Sequence, residues 1–156
     1  MSDIQLRKAR MADVQGIHAL VMEGTAQGLL LPRSLNQIYT KLRDFWVLDH
    51  GEGTPVIGCC ALAIAWDNMA EVRSLLVAGN ARRRGYGSLL VEACLGEARD
   101  FGINRVFSLT YQVAFFASLG FKEIPKENLP QKIWTDCIDC PKFPNCDEVA
   151  MIREPV

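Results

Sequence analysis

The residues best suited to chemistry lie between positions 71 and 90. A largely apolar stretch runs into a short loop with arginines at positions 82–84, and the loop enters a helical pattern at Gly85 and Gly87. Free amides at a helix N-terminus attract a phosphate group, and the helix dipole adds to that attraction. Glycines let the backbone approach a ligand closely. The segment therefore predicts a phosphate-binding turn, while the two glycines alone leave open a basic loop that only begins a helix.

The spacing of these glycines excludes the two common nucleotide-binding loops. A P-loop requires G-x-x-x-x-G-K-[ST], and the segment has neither that spacing nor the lysine. The dinucleotide-binding fingerprint requires a third glycine in G-x-G-x-x-G, but Leu90 stands at that position. The turn therefore matches neither motif.

Hydrophobic periodicity predicts the elements that must position this turn. Alternation of apolar and polar residues indicates strands, with Ile4 and Leu6 on one face of the first, and Ser34 is a predicted helix N-cap. We expect strands at 4–8, 45–48, 55–65, 70–77, 105–110, 121–124 and 149–152, and helices at 12–24, 34–42, 85–101 and 113–119. The inner face of the longest helix is predicted to comprise Leu90, Cys94, Ala98 and Phe101. This order predicts an α/β fold, a mixed sheet with helices on both faces.

Composition limits the classes of protein that this chain can be. The chain has 156 residues and a net charge of −1, which predicts one domain over 1–156 without the basic face of a nucleic-acid-binding protein. Apolar residues make up 49% and charged residues 22%, as in folded domains. Neither a secretory signal nor an apolar run of about 20 residues is present, so we expect a cytoplasmic protein away from membranes.

Two motifs resemble those of one enzyme superfamily. The pattern Arg82-x-x-Gly85-x-Gly87, after a strand and before an amphipathic helix, resembles the acyl-coenzyme A pyrophosphate loop of GNAT acetyltransferases. Residues 115–121, FFASLGF, resemble the short helix of that superfamily that ends in LGF. The resemblance implies a mostly antiparallel central sheet and acetyl-coenzyme A as cosubstrate.

Four further segments narrow the resemblance. Residues 30–35, 109–112, 129–134 and 137–148 are similar to the short, single-domain bacterial N-acetylglutamate synthases. This similarity implies acetyl transfer to the amino group of an amino acid, with glutamate as the first candidate. With glutamate, the reaction would be the first step of arginine biosynthesis. A GNAT enzyme for another amine or a peptide N-terminus is one alternative. A non-catalytic coenzyme A-binding or metal-binding regulatory module is another, favoured by the absence of tyrosine at position 116.

The resemblance also implies a set of cofactor-binding residues. Backbone groups at the end of the strand would hold the pantetheine arm, the loop would hold the pyrophosphate, and Thr110 would position the thioester carbonyl. In full, the implied set is Leu75, Leu76, Val77, Arg82, Arg83, Arg84, Gly85, Tyr86, Gly87, Ser88, Thr110, Phe115 and Phe116.

Two residues are candidates for proton transfer. Some members of the superfamily have a glutamate at the position of Glu71, where it takes the ammonium proton through water. A solvated strand residue paired with Arg73 is the alternative, since side chains at i and i+2 share a face. Many relatives have a tyrosine that acts as the general acid where this chain has Phe116. Tyr111 therefore has the nearest alternative hydroxyl. A second possibility remains open, in which Tyr111 only lines the cofactor channel and water protonates the thiolate.

An amino acid acceptor would require cations for its carboxylates, a task suited to arginine. Arg33, in the loop between the first two helices, is the first candidate, and Arg73 and Lys132 are the others. Solvated surface charge is the alternative for each. The implied partner is a small-molecule amine, and relatives in the superfamily are often homodimers.

The six cysteines divide into two groups. Those in apolar stretches, Cys59, Cys60 and Cys94, are predicted to be buried in the core. Cys137, Cys140 and Cys146 supply only three thiols, whereas a structural zinc site normally has four ligands. We therefore do not favour zinc, and a disulfide is disfavoured in a reducing cytosol. The favoured interpretation is a compact loop that shapes the acceptor site without metal.

Overall fold

Seven strands and four α-helices are present in the described residues, which are 3–28, 33–129 and 148–156 of a computed structural model. The strands are β1 (Gln5–Lys8), β2 (Phe45–Asp49), β3 (Gly58–Trp66), β4 (Met69–Val77), β5 (Arg105–Thr110), β6 (Lys122–Ile124) and β7 (Val149–Arg153). The helices are α1 (Val14–Ala26), α2 (Leu35–Thr40), α3 (Tyr86–Asp100) and α4 (Val113–Ser118). Each predicted element is found, with its ends moved by a few residues.

The strands form a mixed sheet in the order β1-β2-β3-β4-β5-β7-β6. β1 with β2, β2 with β3, β5 with β7 and β6 with β7 are antiparallel. β4 pairs with β5 in parallel, with a register that runs from Met69 opposite Arg105 to Glu71 opposite Phe107. The predicted mixed and mostly antiparallel sheet is therefore confirmed.

Contacts along the chain divide it into two compact units. The first unit comprises Met1–Leu62 and Val72–Glu97, and the second comprises Ala63–Glu71 and Ala98–Val156. Whether residues 1–156 behave as one domain stays a prediction.

Two adjacent cysteines show how helices cover the sheet in the first unit. Successive side chains of a strand point to opposite faces. Cys59 of β3 packs in a cluster with residues of α1 and α2, such as Ile17 and Ile38. The Sγ atom of Cys60 instead lies 3.7 Å from the Sγ atom of Cys94 on α3. The helices α1 and α2 therefore cover one face of this part of the sheet, and α3 covers the other.

An ion-pair network of one half-buried arginine and two buried carboxylates joins β1, β2 and the start of α1. The Arg7 guanidinium donates to both carboxylate oxygens of Asp13, at 2.7 and 2.9 Å, and to Asp49 at 2.8 Å. Both carboxylates are buried. The hydrogen bond from Arg7 is the main cause that lowers the pKa of Asp13 below its usual value. The same bonds raise the pKa of Arg7 further above its usual value.

The second unit has its own core. Met69, Phe107, Leu129 and Ala150 form a buried cluster. The ring of Phe116 is also buried and meets two other rings edge-on, with centroid distances of 5.2 Å to Phe115 and 5.1 Å to Phe121.

The ends of two helices follow local rules. Ser34 accepts a hydrogen bond from the Gln37 amide at 3.1 Å, and the Gln37 side chain accepts one from the Ser34 amide at 2.8 Å. This capping box confirms the predicted N-cap of α2. At the end of α3, the Gly102 amide donates to Arg99 and the Ile103 amide donates to Ala98, which is a Schellman motif.

The predicted inner face of α3 is partly wrong. Phe101 is 61% exposed because the Schellman turn ends α3 at Asp100, before that residue completes the predicted face. On β1, Leu6 is 38% exposed, and its neighbour Arg7 binds the buried carboxylates. The predicted burial of Cys59, Cys60 and Cys94 is confirmed.

Candidate active site

The last residues of β4 contain a local break in the extended backbone. Ser74 has a φ angle of +55°, a left-handed conformation that is unusual for a residue with a side chain. The Cys59 thiol lies beneath it and donates to the Ser74 carbonyl oxygen, with an Sγ–O distance of 3.4 Å. Burial raises the pKa of Cys59 to about 12, so the thiol keeps the proton that this bond requires.

This break precedes the predicted pantetheine-binding residues. Leu76 is buried in the core of the first unit, while Leu75 and Val77 are half-buried on the same strand. A left-handed residue interrupts the regular alternation of a strand just before these three residues.

The loop between β4 and α3 has the geometry expected of an anion-binding turn. We call residues 78–85 the basic loop. Arg83 and Gly85 have φ angles of +67° and +78°, and left-handed residues in turns are typical of the backbone nests that bind anions. An added Cβ on Gly85 would meet no atom within 4 Å, so the conformation rather than lack of space calls for glycine.

Three amides stand at the start of α3. The Leu89 amide donates to the Gly85 carbonyl, at 3.2 Å, and begins the helical hydrogen-bond pattern. The amides of Tyr86, Gly87 and Ser88 precede it, and the first amides of a helix have no partner within the helix. A phosphate placed there would therefore meet both the amides and the positive end of the dipole of a 15-residue helix.

The three arginines of the basic loop are not equivalent. Arg82 donates from Nε to the Val77 carbonyl, at 3.1 Å, and from its terminal nitrogen to Gln27 Oε1, at 2.7 Å. Arg83 and Arg84 are exposed, and neither has a side-chain hydrogen bond or ion pair within the part of the chain that the structure describes. The charges of Arg83 and Arg84 are therefore available to an anionic ligand.

The second unit contains the predicted residues that follow β5. Thr110 is buried, and its hydroxyl oxygen accepts from the Gln112 amide at 2.8 Å, which shapes the turn into α4. Tyr111 is half-buried in the same turn and interacts with other groups. Phe115 is half-buried beside the buried Phe116. Phe116 has only an apolar ring there, so a role as a proton donor is excluded for it.

The predicted base and acceptor-binding residues are distributed along the chain. Glu71 and Arg73 lie on β4, and Arg33 precedes α2. All three side chains are half-buried, and each interacts with another group. Lys132 lies outside the described residues, as do Cys137, Cys140 and Cys146.

Sequence patterns gave no signal for three polar residues of the first unit. Burial raises the pKa of Asp44, and the positive charge of Arg73 opposes that shift. Glu23 and Gln27, near the end of α1, contact the basic loop through hydrogen bonds to Gly79 and Arg82. These contacts join residues about 55 positions apart, so no local spacing could have indicated them.

Neither a metal-binding cluster nor a helix able to cross a membrane is present among the described residues. The ranges 3–28, 33–129 and 148–156 contain no group of three or more histidine, cysteine, aspartate or glutamate side chains arranged to hold a metal ion. Within those ranges, no helix has both the length and the apolar character that crossing a membrane requires.

Comparison with known proteins agrees with this geometry. Residues 22–121 match the acetyltransferase (GNAT) family. An uncharacterized N-acetyltransferase of Chlorobaculum tepidum is 44% identical, over 97% of each chain. An amino-acid acetyltransferase of Mycobacterium tuberculosis is 38% identical, over 76% of this chain and 68% of its own length.

A solved structure extends the comparison to bound ligands. The N-acetylglutamate synthase of Neisseria gonorrhoeae, complexed with coenzyme A and N-acetyl-glutamate, superposes with a TM-score of 0.87 at 28% identity. The match covers all of this chain but only 36% of the Neisseria chain, so this chain spans about a third of that protein's length. From the family match and the full-length relative, this chain belongs to the GNAT acetyltransferase family and is an acetyl-coenzyme A-dependent N-acetyltransferase.

Proposed function

We propose that this N-acetyltransferase acetylates the α-amino group of an amino acid, with glutamate as the first candidate and glutamine as the second. The central observation is the N-terminus of α3, where the first helical amides and two arginines without a side-chain partner among the described residues match a polyanionic cosubstrate. Relatives named amino-acid acetyltransferase and the Neisseria complex support an amino acid acceptor. With glutamate, the product would be N-acetylglutamate, and the reaction would be the first step of arginine biosynthesis in the cytoplasm.

Acetyl-coenzyme A would be held through its phosphates and its pantetheine arm. The amides of Tyr86, Gly87 and Ser88 would bind the pyrophosphate, and the charges of Arg83 and Arg84 would offset its negative charge. The backbone of residues 75–77, after the break at Ser74, would bind the pantetheine amides. The protein thus supplies orientation, which removes much of the entropic barrier of a reaction between two molecules.

The chemical step requires the acceptor nitrogen to lose two protons and the leaving thiolate to gain one. The acceptor ammonium loses its first proton to Glu71, directly or through one water, and the free amine then attacks the thioester carbonyl carbon. A carbon–nitrogen bond forms, the carbon–sulfur bond breaks and the coenzyme A thiolate leaves, while the nitrogen releases its second proton, which through water replaces the one that Tyr111 gives to the thiolate. Tyr111 would donate a proton to that thiolate, since Phe116 has no proton to give. Thr110 would orient the thioester carbonyl through its hydroxyl hydrogen.

The acceptor carboxylates would be bound by cations. Arg33 is the first candidate because a guanidinium can bind a carboxylate through two hydrogen bonds, and Arg73 and Lys132 are the others. A cationic acceptor such as a polyamine would instead favour acidic residues.

An acceptor panel tests the proposal. Purified protein is mixed with acetyl-coenzyme A and single amines, and released thiol is followed by its reaction with a chromogenic disulfide. We expect release with glutamate or glutamine, the acetylated product being identified by mass spectrometry. Strong release with only a non-acidic amine or a peptide N-terminus would favour the other GNAT activity. No release with any amine, together with tight coenzyme A binding, would favour a regulatory coenzyme A-binding module.

The role of Glu71 can be tested through the pH dependence of the turnover number, kcat. Replacing Glu71 with Gln keeps the shape and removes the base, so kcat should fall about 100-fold near pH 7. The loss should shrink as the pH rises and the free amine becomes abundant in solution. Glu123→Gln, an exposed change on β6, is the matched control. A Glu71→Gln variant with the wild-type pH profile would exclude Glu71 as the base.

A further inference from the structure

The last turn of α1 supplies two hydrogen-bond acceptors to the basic loop. Glu23 and Gln27 are at i and i+4, so their side chains lie on the same face of the helix. Glu23 Oε1 accepts from the Gly79 amide at 3.3 Å, and Gln27 Oε1 accepts from the Arg82 guanidinium at 2.7 Å. All four residues belong to the first unit.

Arg82 connects this helix end to the end of β4. Its Nε donates to the carbonyl of Val77, the last residue of β4, at 3.1 Å. One guanidinium therefore binds a strand end and a helix end at once, through two of its five N–H donors. Gln27 is the C-cap residue of α1, and Gly28 follows it in the left-handed conformation, at φ +73°, that commonly ends a helix.

Arg83 and Arg84 differ from Arg82 in this respect. Neither has a side-chain partner among the described residues, and both are exposed beside the N-terminus of α3. A phosphate that took the same two N–H groups of Arg82 would first have to displace Val77 and Gln27. The loop thus has one arginine with two N–H groups bonded within the protein, and two arginines whose side chains have no partner among the described residues.

We propose that Arg82 is a positioning residue, which acts through Gln27 and Val77 to hold the basic loop in the conformation that binds coenzyme A. Gln27 is then a second positioning residue, on a different element and without contact to the cosubstrate. This inference rests on the proposed function of the loop as the acetyl-coenzyme A site. The phosphate charge is offset by Arg83 and Arg84.

A double-mutant cycle on coenzyme A binding tests this assignment. Dissociation constants are measured by calorimetry for the wild type, Gln27→Ala, Arg82→Ala and the double variant. We expect Gln27→Ala alone to weaken binding about threefold to tenfold, the range for loss of one hydrogen bond to a charged group at an exposed site. The double variant should bind no more weakly than Arg82→Ala, because both changes remove the same contact.

Three further variants and readouts separate positioning from a general structural role. Gln27→Glu keeps the acceptor oxygen and should restore wild-type binding. Gln15→Ala, an exposed change at the start of the same helix, should leave binding unchanged. In steady-state assays, Gln27→Ala should raise the KM for acetyl-coenzyme A and leave kcat at saturation within about twofold of the wild type.

The outcomes that overturn the inference are specific. Wild-type binding by Gln27→Ala, or a double variant whose loss equals the product of the two single losses, would show that Arg82 acts independently of Gln27. Failure of Gln27→Glu to restore binding would also contradict it. If the wild type itself bound no coenzyme A, the proposed function would fail as well, and the two failures are thus distinguished by the first titration.

Discussion

In the first unit, the same guanidinium group serves two different purposes, one at Arg7 and the other at Arg83 and Arg84. Arg7 lies between two buried carboxylates and forms three hydrogen bonds to them. Arg83 and Arg84 extend from the basic loop into solvent, without a side-chain partner among the residues described. Arg82 is intermediate, since its guanidinium is exposed but bonded to two groups of the protein.

This difference shows that the groups bonded to an arginine, more than the residue type, decide whether it stabilises the fold or binds a ligand. A guanidinium surrounded by carboxylates has its charge neutralised, and it stabilises the fold because its loss would leave those carboxylates buried and unpaired. A guanidinium without partners contributes little to stability, but its charge is available to a ligand. Stability and cosubstrate binding should therefore respond separately to changes at the two groups.

The largest expected effect is on stability and comes from Arg7. Arg7→Met keeps much of the apolar stem but leaves Asp13 and Asp49 without their cation, so the free energy of unfolding should fall by about 3 kcal/mol. Urea denaturation at pH 7 measures the change. Arg43→Met, an exposed change, is the control and should cost less than about 0.5 kcal/mol. Equal stabilities of the two variants would contradict the comparison.

The stability of the Arg7→Met variant should also depend on pH differently from that of the wild type. Because Arg7 lowers the folded-state pKa of Asp13, this interaction stabilises the protein at pH values above the usual aspartate pKa of about 4. The stabilisation is lost as the pH falls through the lowered pKa. The stability difference between wild type and Arg7→Met should therefore shrink at acid pH, and a constant difference from pH 7 to pH 3 would contradict the assignment.

The second effect is on cosubstrate binding and comes from the loop arginines. The double variant Arg83→Asn with Arg84→Ala should reduce kcat/KM for acetyl-coenzyme A about tenfold, because two charges near the phosphates are removed. Asparagine is chosen at position 83 because it tolerates the left-handed backbone. Unfolding free energy should stay within about 0.5 kcal/mol of the wild type.

A matched control lies at the other end of the same helix. Arg99→Ala removes an exposed charge from the last turn of α3, far along the helix from the basic loop, and should leave kcat/KM unchanged. If the loop variant lost stability but not cosubstrate affinity, the two groups of arginines would not differ as described.

The smallest expected effect is that of salt. Exposed charges are screened within a few ångströms at high ionic strength, whereas a buried ion pair is screened much less. Raising sodium chloride from about 0.05 M to about 0.5 M should increase the KM for acetyl-coenzyme A about threefold. The stability lost through Arg7→Met should change little over the same range. A KM that is independent of salt would indicate that amides, rather than arginines, dominate phosphate binding.

Local patterns predicted most of the fold because its elements follow local rules. The capping box at Ser34, the strand Arg105–Thr110 and the turn at Gly85 each depend on residues within a few positions of one another. The predicted face that ended at Phe101 was wrong because periodicity does not report where a Schellman turn stops a helix.

The sequence predicted a smaller part of the candidate site than of the fold. The sequence indicated the basic loop, since glycine and arginine there act through the backbone and through charge, both readable from residue type. It could not separate Arg82 from Arg83 and Arg84, because Gln27 lies 55 positions away. The roles of Glu71, Tyr111, Arg33, Arg73 and Lys132 stay predictions, as does a homodimer.

By itself, the sequence determined the order of elements and the turn that precedes α3, because propensity, periodicity and glycine conformation act over short distances. Only the tertiary structure decided which charges are used within the protein. Arg7 and Asp49 are 42 positions apart, and the Cys60 and Cys94 thiols are 34 apart. Such pairs form when the packing of strands and helices brings distant residues together, and no local pattern encodes that packing.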